Sequence, residues 1–313
     1  GRSVQIINIL GVITAPEPTG HAIYGLRTTG KTTLMRFIKD PRGAMHYYSD
    51  YVAAPYRPGG GSYLVFVYVN FHNFGRNDGS IFHLMLDELV DEVHDDDRFD
   101  LDLDLMTSDP NTDRMQAYKD LKSTLNMFSE DYNIRVAFLF DDFDVPLHSN
   151  LVDGDDDRLL RALTERAALI IGTEDPISHI RPDFDKDSPL LGILRPEAIE
   201  LLKDNEARAL VTGIAADAEL VYTAEEINFL LATGGRQPFT LITACELYFN
   251  MRLDFHDISE MLTNKADAKR LRAQFLPRLA ALPHVETILQ MLWDKIDYRE
   301  RQTLLQTANG AKV

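Results

Sequence analysis

The stretch Gly25-Leu26-Arg27-Thr28-Thr29-Gly30-Lys31-Thr32 matches the phosphate-binding pattern G-x-x-x-x-G-K-[ST] at every fixed position. A short apolar segment, residues 21–24, precedes it, and an amphipathic segment, residues 31–39, follows it. Between a strand and a helix, the two glycines allow a tight turn whose N–H groups point inward at the N-terminus of the helix. The sequence therefore predicts a loop that binds phosphate groups.

Two side chains at the end of this loop carry the predicted chemistry. We expect Lys31 to reach the β- and γ-phosphates of a nucleotide and to act in catalysis. The hydroxyl of Thr32 is expected to complete the ligand shell of a Mg²⁺ ion together with water and phosphate oxygens. The further loop residues that we assign to nucleotide binding are Gly25, Thr28, Thr29, Gly30 and Thr33.

A second stretch, residues 135–144, reads Arg-Val-Ala-Phe-Leu-Phe-Asp-Asp-Phe-Asp and has the form of a Walker B strand. Its apolar run predicts a buried strand that ends in paired acids beside the phosphate loop. We expect Asp141 to be the carboxylate partner of the Mg²⁺ ion, and Asp142 to orient or deprotonate the attacking water. Asp144 is a second candidate for the role of Asp142.

A third candidate residue follows the apolar run Ala-Ala-Leu-Ile-Ile-Gly at residues 167–172, which predicts another buried strand. Thr173 comes directly after it, and we expect this side chain to sense the γ-phosphate or to position water. The preceding charged segment carries three arginines. Each of them is a candidate for contact with the nucleotide of a neighbouring subunit, or for ordinary surface ion pairing, and this choice stays open. They are Arg158, Arg161 and Arg166.

The order of the segments predicts the fold class. Strand and helix patterns alternate through the first part of the chain, which indicates an α/β fold with a parallel sheet and right-handed crossovers. We expect a last strand at residues 197–202, after which the pattern becomes helical. The predicted domains are a nucleotide-binding domain at 1–203, a helical lid domain at 204–283 and a final domain that begins at 284–313. Residues 285–305 are expected to open a further helical unit.

Composition limits the partners. The chain has 49 acidic and 32 basic residues and a formal net charge of -17, which repels phosphate backbones, so we do not expect this piece to bind nucleic acid. The basic residues between Lys265 and Arg278 are expected to form a solvated helix face. The acidic run at 94–104 lacks the pattern of a calcium loop and is expected to be a solvated loop.

The single cysteine, Cys245, excludes a disulfide within the chain and fits a reducing cytoplasm, which is the expected location. No apolar run is long enough to span a bilayer, so we expect no membrane partner. The chain lacks an initiator Met, and we expect it to be a piece of a longer protein.

These motifs, together with the turn Gly234-Gly235-Arg236-Gln237-Pro238, resemble those of the STAND class of signalling ATPases, which are relatives of the AAA+ and archaeal-type ATPases. The resemblance runs from Gly1 to about Leu305. It implies that Arg2, in an N-terminal Gly-Arg motif, lies on the adenine side of the nucleotide and that Pro238 packs on the adenine. Further support comes from Ser188-Pro189-Leu190, Ile199-Glu200-Leu201, Leu292-Trp293 and the segment from Arg301 to Leu305.

The resemblance implies a P-loop NTPase sheet flanked by helices, a helical lid domain and the beginning of a winged-helix domain. It also implies ATP and ADP with Mg²⁺ as cofactors, slow hydrolysis, nucleotide-dependent homo-oligomerisation, effector and sensor domains outside this piece, and a role in signalling such as bacterial antiviral defence. Two alternatives stay open. One is an AAA+ ATPase that loads or remodels DNA or protein by repeated turnover, and the other is a scaffold that holds nucleotide without hydrolysing it.

Overall fold

The computed structural model describes residues 2–17, 19–57, 59–75, 79–94, 112–182, 188–254 and 258–308. Most of the acidic run predicted as a solvated loop therefore lies outside the described residues. The chain divides into two compact units. The sheet unit contains Arg2–Gly25 and Gly30–Ile199, and the helical unit contains Gly1, Leu26–Thr29 and Glu200–Val313.

The sheet unit alternates strands and helices along the chain, as the sequence predicts. Its strands are β1 (Gly20–Tyr24), β2 (Tyr63–Asn70), β3 (Ile134–Asp141), β4 (Ala167–Thr173) and β5 (Leu194–Ala198). Its helices are α1 (Ser3–Ile13), α2 (Lys31–Lys39), α3 (Ala44–Tyr47), α4 (Ile81–His94), α5 (Arg114–Asp131), α6 (Asp144–His148), α7 (Gly154–Leu163) and α8 (Ile177–Ile180). Two short 3-10 turns, Ser49–Tyr51 and Ala54–Tyr56, follow α3.

The strands form a parallel five-stranded sheet in the order β2-β3-β4-β1-β5. Tyr24 of β1 is paired with Thr173 of β4, and Phe140 of β3 is paired with Ile171 of β4. The C-terminal ends of β1, β4 and β3 are therefore neighbours along one edge of the sheet, where ligands of such sheets collect. This topology confirms the predicted α/β class with helices around a parallel sheet.

Both faces of the sheet are covered by apolar side chains, which explains why its strands are almost continuously hydrophobic. One buried cluster includes Phe82 of α4 and Leu121 of α5, and a second includes Ile9 of α1 and Met35 of α2. Helix α2 has the predicted bounds because Gly30 precedes its first turn and Asp40-Pro41 ends it.

The last strand lies earlier than predicted, at residues 194–198 rather than 197–202. Strand β5 pairs with β1 from Gly20 opposite Leu194 to Tyr24 opposite Ala198, so β5 matches the short length of its neighbour. Pro196 is tolerated because β5 is an edge strand, with hydrogen-bonding partners on one side.

The helical unit contains α9 (Asp204–Asp217), α10 (Ala224–Gly234), α11 (Pro238–Asp254), α12 (Ile258–Met261), α13 (Lys265–Ala280), α14 (Pro283–Lys295) and α15 (Tyr298–Ala308). The predicted helical segment at 285–305 is thus two helices. Asp297 separates them because it begins a new helix: its carboxylate accepts from Glu300 N at 2.8 Å, and Glu300 Oε2 accepts from Asp297 N at 2.9 Å.

The core of the helical unit is formed by α9, α10, α11 and α13 around buried side chains such as Tyr248 and Phe275. Glu226 is fully buried there, and its Oε1 accepts hydrogen bonds from Tyr248 at 2.8 Å and from Arg252 at 3.2 Å. In the part of the chain that the structure describes, every helix is too short or too polar to cross a membrane.

Candidate nucleotide-binding site

The phosphate loop leads from β1 into α2. Gly30 has φ 99° and ψ 20°, a left-handed conformation that an L side chain rarely adopts, which explains the glycine at this position. Lys31 is the first residue of α2, and its Nζ donates to the carbonyl oxygen of Gly25 at 2.6 Å. The N-terminus of α2 and a lysine amine therefore lie together, which is an arrangement that attracts anions.

The surroundings of Lys31 are acidic. Burial lowers the pKa of Lys31, whereas Glu174, Asp141, Asp144 and Asp142 raise it through their charges. Asp141 ends β3, Asp142 and Asp144 come after it, and Glu174 comes after β4, so the end of the sheet places the lysine amine within the field of these carboxylates. The lysine amine attracts phosphate groups. A bound Mg²⁺ ion would offset the repulsion between these phosphates and the nearby carboxylates.

The other loop residues have local partners. Thr29 Oγ1 donates to Leu26 O at 2.8 Å, and Thr28, with φ 62°, donates from its Oγ1 to Arg27 O at 2.6 Å. On the first turn of α2, Thr32 is half-buried and Thr33 is exposed. The contacts that we assign to these side chains and to Gly25 and Gly30 with a nucleotide stay predictions.

Asp141 is the last residue of β3 and is fully buried. Its Oδ2 accepts a hydrogen bond from the Tyr68 hydroxyl at 2.6 Å. Its Oδ1 and the Oδ1 of Asp144 are buried without a hydrogen-bond partner among the described residues. A buried carboxylate oxygen is costly unless a donor or cation satisfies it, so these atoms fit a hydrated divalent ion.

Asp142 has a strained backbone, with φ 54°, and its side chain is about one-third exposed. Burial raises the pKa of Asp142, and the charges of Asp141 and Asp144 raise it further, while His72 and Lys31 lower it. His72 Nδ1 lies 3.5 Å from Asp142 Oδ2. A carboxylate that is reachable by water and has a raised pKa suits a general base, which is the role predicted for it.

Thr173 is the last residue of β4, directly beside Tyr24, which precedes the phosphate loop. Its side chain is buried, and its Oγ1 donates to Asp175 O at 2.7 Å. Its backbone oxygen accepts from Gly25 N at 3.2 Å. The structure thus brings Thr173 to the start of the phosphate loop at Gly25, and the Thr173 hydroxyl is bonded to a local carbonyl. Its role in sensing the γ-phosphate stays a prediction.

The three candidate arginines all have local partners. Arg158 Nη1 lies 3.0 Å from Asp155 Oδ1, Arg161 Nη1 donates to Thr164 Oγ1 at 3.0 Å, and Arg166 Nη2 lies 3.1 Å from Glu130 Oε1. The exposed ion pairs of Arg158 and Arg166 are weak enough to exchange for another anion. A contact of any of them with a neighbouring subunit therefore stays an open prediction.

The predicted adenine contacts belong to different units. Arg2 lies directly before α1 in the sheet unit, with a left-handed φ of 70°. In the helical unit, Pro238 is the first residue of α11, a position that suits proline because its missing N–H is not needed there. Gly235 of the same turn has φ 70°. The adenine contacts of Arg2 and Pro238 stay predictions.

Among the described residues, no group of three or more His, Cys, Asp or Glu side chains is arranged to hold a metal ion. A Mg²⁺ ion that binds together with a nucleotide takes most of its ligands from phosphate oxygens and water. Thr32 and Asp141 would be its protein partners, as is usual for Mg²⁺ bound together with a nucleotide.

The sequence alone does not indicate that Tyr68 and His72 lie beside the acids at the end of β3. Tyr68 lies inside an apolar strand, where a tyrosine reads as a core residue, and its contact with Asp141 arises from the pairing of β2 with β3. Burial and the hydrogen bond to Asp141 raise the pKa of Tyr68, so its hydroxyl keeps the proton that it donates.

Comparison with family models and with curated proteins yields no match. Solved structures do match. The ORC2 protein of Aeropyrum pernix, in ADPNP and ADP complexes, is 16% identical over 90% of this chain and 68% of its own, with a TM-score of 0.57. A Walker-type ATPase of Pyrococcus abyssi is 14% identical over 94% of this chain and 76% of its own, with a TM-score of 0.57.

The Drosophila ORC bound to DNA is 12% identical over 99% of this chain and 69% of the matched chain, with a TM-score of 0.51. At such low identities the likeness concerns the fold. The chain therefore has the P-loop α/β fold that is seen in ORC proteins and in a Walker-type ATPase, and the predicted fold class is confirmed.

Proposed function

We propose that this chain is an AAA+-related ATPase that binds ATP and ADP with Mg²⁺ at the N-terminus of α2 and hydrolyses ATP slowly. The observation that carries this proposal is the arrangement of three neighbouring strand ends. They bring the phosphate loop after β1, Thr173 of β4 and the acids after β3 to one edge of the sheet. The ligands named for the matched ORC2 protein, ADPNP and ADP, support the choice of adenine nucleotides.

Each side chain has a distinct role in this proposal. Lys31 binds the β- and γ-phosphates, and Thr32 and Asp141 hold the hydrated Mg²⁺ ion. Asp142 orients the attacking water and accepts its proton. Thr173 responds to the γ-phosphate. When bound, Mg²⁺ neutralises charge that develops on the phosphate oxygens during transfer to water.

We further propose that hydrolysis sets the state of a STAND-type signalling switch. The ADP-bound chain would be the resting state, and the ATP-bound chain would form a homo-oligomer that activates an attached effector, as in bacterial antiviral defence. Such a switch requires the two nucleotides to bind the two states with different affinities. Lys31 and Thr173 are the side chains from which we expect that difference, because they respond to the γ-phosphate.

The test is to purify the protein without added nucleotide, denature it, and identify and count the released nucleotide by chromatography. A switch predicts about one ADP per chain and slow exchange with labelled ATP, because tight product binding maintains the resting state. Replacement of ADP by a non-hydrolysable ATP analogue should then increase the mass of the particle in solution. An empty site that exchanges ATP rapidly would contradict the switch.

The second candidate is an ATPase that loads or remodels DNA. It is favoured by the exposed basic side chains of α13, although the net charge of -17 opposes it. The Drosophila ORC that shares the fold is bound to DNA. The basic side chains of α13 are Lys265, Lys269, Arg270, Arg272 and Arg278.

Fluorescence anisotropy with labelled duplex DNA at 50 and 200 mM salt separates the candidates. A loader predicts binding that weakens steeply with salt, is weaker still in a Lys269→Glu variant, and stimulates hydrolysis. Lys119→Glu, on the exposed side of α5, is the matched control for added negative charge. Absence of binding at the lower salt concentration would eliminate the DNA version of this candidate.

A further inference from the structure

The unusual feature of the acid cluster is a tyrosine. Tyr68 lies near the end of β2, and its hydroxyl donates to Oδ2 of the buried Asp141 at 2.6 Å. The guanidinium of Arg36, on α2, lies 5.8 Å from the centre of the Tyr68 ring. Tyr68 therefore connects Asp141 to the helix whose first residue is Lys31.

The two oxygens of Asp141 have different surroundings. Oδ2 is occupied by the phenol, while Oδ1 has no hydrogen-bond partner among the described residues. Gly172 of β4 lies beside Oδ1, since a Cβ at this glycine would be 3.6 Å from that oxygen. A short bond from a neutral hydroxyl to a carboxylate is strong and directional, so it selects one orientation of the Asp141 side chain.

Packing holds Tyr68 itself in place. Its ring is half-buried and packs against the core cluster that includes Met35 of α2 and Leu139 of β3. Pairing of β2 with β3 sets Asn70 opposite Asp141, so Tyr68 is two residues before that pair on the same strand. A donor fixed by packing and by strand register loses little entropy when it bonds to Asp141, and it is therefore suited to orient a metal-binding carboxylate.

We propose that Tyr68 is a positioning residue for Asp141, whose hydroxyl binds Oδ2 and so directs Oδ1 to the water shell of the Mg²⁺ ion that accompanies the nucleotide. This inference rests on the proposed nucleotide site and assigns to it a residue outside the Walker motifs. The alternative is that the hydroxyl only stabilises the edge of the sheet, which would affect folding and leave Mg²⁺ dependence unchanged.

The experiment measures the dissociation constant of ADP by calorimetry, once with Mg²⁺ and once with EDTA. In Tyr68→Phe we expect the gain in affinity due to Mg²⁺ to fall about tenfold, because loss of a residue that orients a metal ligand typically has an effect of this size. The affinity in EDTA should stay that of the wild type. Tyr48→Phe is the matched control, since Tyr48 is half-buried against the same cluster and its hydroxyl bonds to Ser3 Oγ at 2.9 Å.

An unchanged Mg²⁺ gain in folded Tyr68→Phe would overturn the inference. If Tyr68→Phe does not fold, the double variant Tyr68→Phe/Asp141→Asn still tests the inference. In the double variant an amide replaces the buried carboxylate that would otherwise lack its hydrogen-bond donor. The Mg²⁺ gain in Tyr68→Phe/Asp141→Asn should equal that in Asp141→Asn, and a further loss would contradict the proposed route through Asp141. Failure of the wild type to bind ADP under either condition would instead contradict the proposed function.

Discussion

Nε2 of His21, near the start of β1, lies 2.9 Å from Oε2 of Glu197 on the neighbouring strand β5. The same carboxylate accepts from Asn8 Nδ2 at 3.1 and 3.3 Å. The His21 side chain is buried, and its Nδ1 has no hydrogen-bond partner among the described residues. Burial lowers the pKa of His21, and this effect exceeds the opposing influence of Glu197.

We predict that His21 makes the folded chain less stable in acid. Because the pKa of His21 is lower in the folded than in the unfolded chain, the unfolded chain binds the proton first as the pH falls below 6.5. The free energy of unfolding should therefore decrease as the pH drops from 6.5 towards the lowered folded-state pKa. Urea denaturation at several pH values should show a shallower decrease in His21→Gln than in the wild type. His148→Gln, which changes an exposed histidine, should keep the wild-type slope.

Substitution of Asp142 should separate binding from hydrolysis. Asp142→Asn removes the proposed base but retains the shape of the side chain, so we expect turnover to fall by about 100-fold or more with little change in ATP affinity. The measurement is phosphate release together with ATP affinity on the same preparation. Asp155→Asn, at an exposed acid of α7, should hydrolyse ATP as the wild type does. Wild-type turnover in Asp142→Asn would remove Asp142 from the catalytic role.

We predict that removal of the buried Glu226 carboxylate strongly destabilises the helical unit. Its Oε1 accepts from Tyr248 and Arg252, and its Oε2 accepts from Thr223 N at 2.7 Å at the start of α10. Glu226→Ala leaves these donors unpaired, and the free energy of unfolding should fall by about 3–5 kcal/mol. Chemical denaturation measures it, and the exposed neighbour Glu225→Ala should change it by less than about 0.5 kcal/mol. Equal values for the two variants would refute the account of this network.

The elements that carry local signals were predictable from the sequence. Helix α2 extends from Lys31 to Lys39 as predicted, because Gly30 and Pro41 limit it at both ends. Asp141 ends a strand as predicted, because the apolar run before it can be buried on both faces of a parallel sheet.

Contacts between distant strands could not be predicted in this way. Tyr68 meets Asp141, 73 residues away, only after β2 pairs with β3, and the sequence pattern of β2 presents Tyr68 as one more core residue. The bounds of β5 also depend on a partner, since this strand is as long as the part of β1 that pairs with it. Asp142 and His72 come together for the same reason, at the adjacent ends of two strands.

Calorimetric titration of the protein with ATP and Mg²⁺ shows whether Lys31 belongs to a nucleotide site. We expect the wild type to bind one ATP per chain and Lys31→Ala to bind ATP roughly 10- to 100-fold more weakly, because the variant loses a charged hydrogen bond to phosphate. Lys39→Ala, at the other end of the same helix, should bind as the wild type does. Equal affinity of Lys31→Ala and the wild type, or absence of ATP binding by the wild type, would mean that Lys31 is not part of a nucleotide site.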